Sequence, residues 1–190
     1  MSEDKVIIYE ESGADPWTDV MVIENGGGRT RVRAVNEPGQ MIDLVTRLSA
    51  EGVNLVELCG GFGAVWHAEA GRAAGDDVRI GAIYYGFESL SGVASYKARF
   101  EAGEALSEAF VIVHEGADPG RDRVVRTKAG GGRTTFVGVP DEGAAAEVAG
   151  KMAGGLQLIE LYGGPGPEAA EPVIRAVDAS VPVGVTGYRR

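Results

Sequence analysis

The chain has 190 residues, 44% hydrophobic and 24% charged, with a formal net charge of −10. That length holds one compact domain or two small ones, and the acidic balance argues against nucleic acid and anionic membranes, both of which need a basic face. One cysteine, Cys59, excludes an internal disulfide and a cysteine-rich zinc site. The opening "MSEDKVIIYEE" has no basic start before a long apolar core, so it does not read as a signal peptide. Nothing approaches the roughly 18 consecutive apolar residues of a membrane span. The expected location is the cytoplasm.

In chain order, "KVIIYEE" predicts a first strand. "GADPWTDVMVIEN" begins with turn chemistry; Asp15 is placed for an N-cap and Pro16 for the first helical position, which predicts a short helix. "RTRVRAV" alternates and is β-branched, hence strand two. "PGQMIDLVTRLSAEG" has helical spacing and ends in glycine. "VNLVELC" is strand three, "GAVWHAEAGRAAG" a helix and "RIGAIYY" strand four. The segment 87–108 contains a connecting helix over 92–106. The cycle then restarts: "AFVIVHE", "GADPGRDRVVRTK" with Asp118-Pro119, "RTTFVGV", "PDEGAAAEVAGKMAGG", "LQLIELY", "PEAAEPVIRAVDA" and "PVGVTGY".

The restart is a repeat. "GADPWTDVMVIENGGGRTRVRAV" aligns with "GADPGRDRVVRTKAGGGRTTFVGV", "GVNLVELCGGFG" with "GLQLIELYGGPG", and "VRIGAIYYG" with "VPVGVTGY". Three blocks in the same order imply a tandem duplication of a unit of roughly 85 residues. The expected organisation is a first repeat over 1–86, a connecting segment over 87–108 and a second repeat over 109–190, packed as one compact domain. Strands alternating with helices mean an α/β fold with parallel sheet. Two four-stranded repeats related by a pseudo-twofold are expected; the alternative is a compact eight-stranded α/β barrel made of two half-barrels.

The unit "EGVNLVELCGGFG…VRIGAIYY", with its upstream "GADP", resembles the bacterial family called domain of unknown function 6506, whose members are small single-unit proteins. The resemblance covers nearly all of both halves. The second copy departs from the motif, with Tyr162 for the cysteine and Pro165 for the phenylalanine. The resemblance implies a fold and a repeat unit, and it supplies no catalytic residue.

The heptapeptides "ELCGGFG" and "ELYGGPG" carry the candidate chemistry. Glycines at the C-terminal end of a parallel strand, before a helix, expose backbone N–H groups to the ligand edge of the sheet. In that reading Gly60, Gly61 and Gly63, with Gly163 and Gly164, cradle an anion; the plainer reading is a tight strand–helix turn. Neither loop is a P-loop or a dinucleotide fingerprint. Glu57 and Glu160 lie in an apolar strand, and a buried carboxylate needs a partner or a raised pKa. Arg29 and Arg133, each in "GGGRT", are the candidate partners. Cys59, His67, His114, Tyr162, Tyr85 and Tyr188 fall near strand C-terminal ends or first helical turns, where a histidine can shuttle protons. The two histidines share no ligand spacing, so no metal and no organic cofactor are expected.

Two function classes follow. The first is a small cofactor-independent isomerase, lyase or cyclase acting on a carbonyl- or carboxylate-containing metabolite, with Glu57, Glu160, His67, His114, Cys59 and Tyr162 as acid–base groups. The second is a non-catalytic protein that binds a small anionic metabolite or serves in assembly. A small-molecule partner is expected in either case, with neither nucleic acid nor membrane, and a homodimer is compatible with both. One deep pocket holding Glu57 or Glu160 together with a histidine favours the first class; two shallow symmetric dents favour the second.

Overall fold

A computed structural model of the chain describes residues 3–128, 130–164 and 166–188. Pro165 of the second heptapeptide lies outside the described residues. Two compact units are distinguished: residues 3–83 with Gly187 and Tyr188, and Tyr84–Thr186.

The first unit contains β1 (Glu3–Glu10), β2 (Asp19–Asn25), β3 (Gly28–Val35), α1 (Gln40–Ala50), β4 (Leu55–Leu58), α2 (Ala64–Ala74) and most of β5 (Arg79–Tyr85). The strand order is β2-β3-β1-β4-β5. β3, β1, β4 and β5 run parallel to one another, and β2 is antiparallel to β3. Val6, Ile7 and Ile8 of β1 are all fully buried, as expected for a parallel strand covered on both faces. Met41, Leu44, Val45 and Leu48 of α1 follow helical spacing and are also fully buried, each worth about 1.5–3 kcal/mol of transfer free energy.

The second unit contains α3 (Leu90–Glu101), β6 (Glu108–Val113), β7 (Arg123–Thr127), β8 (Arg133–Val139), α4 (Glu142–Met152), β9 (Leu158–Tyr162), α5 (Pro167–Ala176) and most of β10 (Val183–Tyr188). Its order is β7-β8-β6-β9-β10, again with the early strand antiparallel at the edge. One face of this sheet packs Val111, Val137, Ile159, Leu161, Val183 and Val185 against Ala145, Ala149 and Val173 of α4 and α5. The other face carries Phe110, Phe136, Glu160 and Tyr162, also buried.

Each unit therefore has five strands, and the described residues form ten strands rather than eight. The extra strand corrects the reading of the "GADP" segments as short helices. Asp15 Oδ1 does accept the N–H of Trp17, at 3.1 Å, and Asp118 Oδ1 that of Gly120, at 2.8 Å. These are Asx turns, which satisfy the same side-chain oxygen without starting a helix. After the turn the first copy alternates, with Met21 and Ile23 buried and Val22 and Glu24 exposed. Gly26-Gly27 then closes a two-residue hairpin onto β3. Alternation plus a glycine hairpin outweighs the capping signal. No helix among the described residues is long and apolar enough to cross a membrane.

Candidate functional site

β4 and β9 place the two glutamates in matching frames. Glu57 stands in register with Ile7 and Gly81, and Glu160 with Phe110 and Gly184. Glu57 is 0% exposed and Glu160 2% exposed.

Tyrosines, not arginines, meet them. In the first unit Tyr188 donates its hydroxyl to Glu57 Oε1. The Arg79 guanidinium lies 5.5 Å from the centroid of the Tyr188 ring and bonds Glu3 at 3.3 Å. Burial, and then the Glu57 carboxylate, hold the Tyr188 phenol far above its ordinary pKa. In the second unit Tyr85 donates to Glu160 Oε1 at 2.6 Å and Tyr162 to Glu160 Oε2. Tyr162 also packs on Phe110, centroids 5.0 Å apart. Each glutamate is thus served by a strand end from the other sequence repeat, because β5 ends in the second unit and β10 ends in the first.

Arg29 and Arg133 are corrected on strand parity. Val32 and Phe136 stand in register, through β1 and β6, with Glu57 and Glu160. The arginines precede them by three residues, which puts their side chains on the opposite face and about 10 Å upstream. Arg29 instead approaches Glu24 at 3.6 Å, and the Arg133 side chain is exposed.

The other candidates scatter. Cys59 is buried just past β4, and its N–H bonds Ile8 O at 3.0 Å. His67 sits in the first half of α2; its Nε2 is shielded from solvent without a hydrogen-bond partner, and burial lowers its pKa. His114 is buried after β6, donating its N–H to Val139 O at 2.9 Å and accepting from Ala117 at 3.0 Å. Among the described residues no group of three or more His, Cys, Asp or Glu is arranged to hold a metal.

The glycine turns differ. Gly61 is not left-handed, and Gly63 has φ −78° and open space at its Cβ position. Gly163 and Gly164 have φ 97° and 82°. A Cβ on Gly163 would fall on the Val113 carbonyl oxygen.

Open space occurs elsewhere, in the second unit. A groove of about 430 Å³ is lined by Tyr84, Glu88, Ala170, Ile174, Val183 and Val185, among others. A smaller one of about 200 Å³ shares Glu88 and Ile174 with it and includes Ala179. Neither groove is lined by Glu57, Glu160, His67 or His114. None of the site residues expected from the sequence lines either groove. The region's one available signal was the mostly apolar run "YYGFESL", which leaves Tyr84, Phe87 and Leu90 exposed.

The strand-end motif and its duplication agree with a family match over residues 4–98 and 106–190. The chain belongs to DUF6506, a family of unknown function. Two adjacent matches are consistent with tandem duplication of the DUF6506 unit. No curated protein matches the chain. Among solved structures it is similar to the XylFII molecule, at 10% identity and TM-score 0.34, covering 94% of this chain and 76% of that one. It is also similar to a carbohydrate transporter from Acidothermus cellulolyticus 11B in complex with myo-inositol, at 12% identity and TM-score 0.30, covering 97% and 73%. A third is the ABC domain in complex with L-Trp from Streptococcus pneumonia, at 9% identity and TM-score 0.30, covering 96% and 73%. At these values the likeness transfers neither fold nor ligand.

Proposed function

We propose that this chain is a small-molecule-binding protein, cytoplasmic in location, and that the groove of the second unit is its binding site. The observation that carries the reading is the division of labour between buried and open regions. Glu57 and Glu160 are buried, and each accepts a phenol hydroxyl. The groove beside β10 and α5 is open, largely apolar and of the volume that small ligands occupy. Acid–base chemistry has the carboxylate–phenol couples in its favour. Against it stands the lining of both grooves, which includes no member of those couples.

A thermal-shift screen of small metabolites tests this. A ligand at about 100 times its Kd stabilises by about 2.7 kcal/mol. The stabilisation is expected to be lost in Tyr84→Ala, whose side chain is half-exposed in the groove, and kept in Glu57→Gln. The opposite pattern moves the site to the glutamates and revives the acid–base reading.

A further inference from the structure

We infer that the groove takes a small organic cation, an ammonium group carried on an aliphatic or aromatic body. The inference rests on the groove being the binding site and names the class of ligand it accepts.

The charges come first. The lining residues of the larger groove include three charged side chains, Glu88, Glu171 and Arg175. Arg175 bonds Glu171 on the same helix, at 2.9 and 3.1 Å, so that pair is internally neutralised. Glu88 makes no hydrogen bond or ion pair with any described residue, and it lines both grooves where they meet. A Cβ on Gly86 would strike the Glu88 carboxylate, so glycine lets this acid fold over the end of β5. The groove therefore presents one uncompensated negative charge.

The anion alternative is disfavoured here. The N-terminus of α5 is where a helix would attract phosphate or carboxylate. Glu168 already occupies the first turn, with Oε2 3.0 Å from the Cβ position of Gly166. Ser89, which lines the smaller groove, spends its hydroxyl on the backbone of Val183, accepting at 3.1 Å and donating at 3.3 Å.

The surfaces supply the rest. Val183, Val185, Ala170, Ile174 and Pro167 give an apolar wall. Tyr85 is held by Glu160 on one face of β5, and alternation turns Tyr84 to the other face, into the groove. Tyr84 is 42% exposed, so its ring can meet an ammonium group over its face. Asp178 and Ala179 are consecutive non-glycine residues with φ 48° and 53°. Such strain costs about 1 kcal/mol or more per residue and clusters at ligand clamps; Ala179 lines the smaller groove.

The probe is phenethylammonium, compared with its anionic and neutral counterparts 3-phenylpropionate and 2-phenylethanol. Amide chemical shifts of the full chain are followed up to about 10 mM, where millimolar affinity is measurable. Phenethylammonium is expected to shift Gly86, Glu88, Ile174 and Val185, less strongly at high salt. Glu88→Gln, an exposed change, is expected to weaken it about 5-fold, the upper scale for an exposed ion pair. Binding of 3-phenylpropionate or 2-phenylethanol equal to or tighter than phenethylammonium overturns the cation class and leaves the groove as the site. No groove shift with any of the three probes also overturns the cation inference. Hits from the metabolite screen that shift residues only outside the groove overturn the binding reading itself.

Discussion

In the first heptapeptide the residue two after the glutamate is Cys59; in the second it is Tyr162, whose hydroxyl donates to Glu160. The turn that follows differs in parallel. Gly61 and Gly63 are not left-handed, whereas their counterparts Gly164 and Gly166 are, at φ 82° and 72°, and a Cβ on Gly163 would strike the Val113 carbonyl. The helix starts differ as well: α2 has no acid in its first turn, while α5 has Glu168. The same strand, glutamate and glycine pair can therefore carry different local solutions. What both copies keep is a buried carboxylate joined to a tyrosine from the other repeat's last strand. That pairing is the constant of the duplication, and the turn is its variable.

The turn comparison breaks most easily, and with the largest effect. Gly163→Ala combines a left-handed φ with a collision on backbone, which cannot move aside. It is expected to cost about 3 kcal/mol or more in urea unfolding. In the first turn Gly61→Ala needs no left-handed φ, and its Cβ meets only Cys59 Sγ at 3.5 Å, so it is expected to stay within about 1 kcal/mol of the parent. Equal losses for alanine at Gly61 and at its left-handed counterpart Gly164 would show that the two turns share one constraint after all.

How much of this was legible follows from particular residues. Repeated blocks and apolar runs located β4, β9 and the glutamates, because burial pattern and turn glycines are local signals. β2 and β7 were misread because Asp-Pro satisfies a helix cap and an Asx turn equally well. The glutamate partners were misread because complementary charge suggested arginine, while strand parity forbids it. The exchange of Tyr85 and Tyr188 is invisible in one sequence. Both repeats offer a tyrosine at the same place, and only the fold decides that Glu57 takes the one 131 residues away.

The couples are sharpened by removing single hydroxyls. Tyr162→Phe leaves buried Glu160 short of a donor and is expected to cost about 1.5–3 kcal/mol. Tyr188→Phe adds a pH signature. The folded state holds the Tyr188 phenol above its unfolded pKa, through burial and the Glu57 carboxylate. Above about pH 10 the unfolded chain loses a proton that the folded chain keeps, so stability falls as pH rises, by about 1.4 kcal/mol per pH unit for this group. Urea unfolding between about pH 9 and about pH 11 is expected to show that slope reduced in Tyr188→Phe. An unchanged slope would separate Tyr188 from Glu57.

The smallest effect lies at His67, present in the first turn region alone. Burial lowers its pKa below 6.5, and the nearby start of α2 disfavours a cation in the same sense. The sign follows directly. As pH falls through 6.5 the unfolded imidazole takes a proton before the folded one does, so folding loses stability on the acid side. Because the ring is partly solvated, the loss is expected to stay under about 1 kcal/mol. His67→Asn removes that part of the acid dependence. An NMR titration reads the group directly, with a midpoint expected below 6.5. Repeating it with inorganic phosphate tests whether Gly60, Gly61 and Gly63 cradle an anion. A bound phosphate beside the imidazole favours its charged form and would raise the midpoint. An unchanged midpoint is expected and would leave the first turn a structural corner.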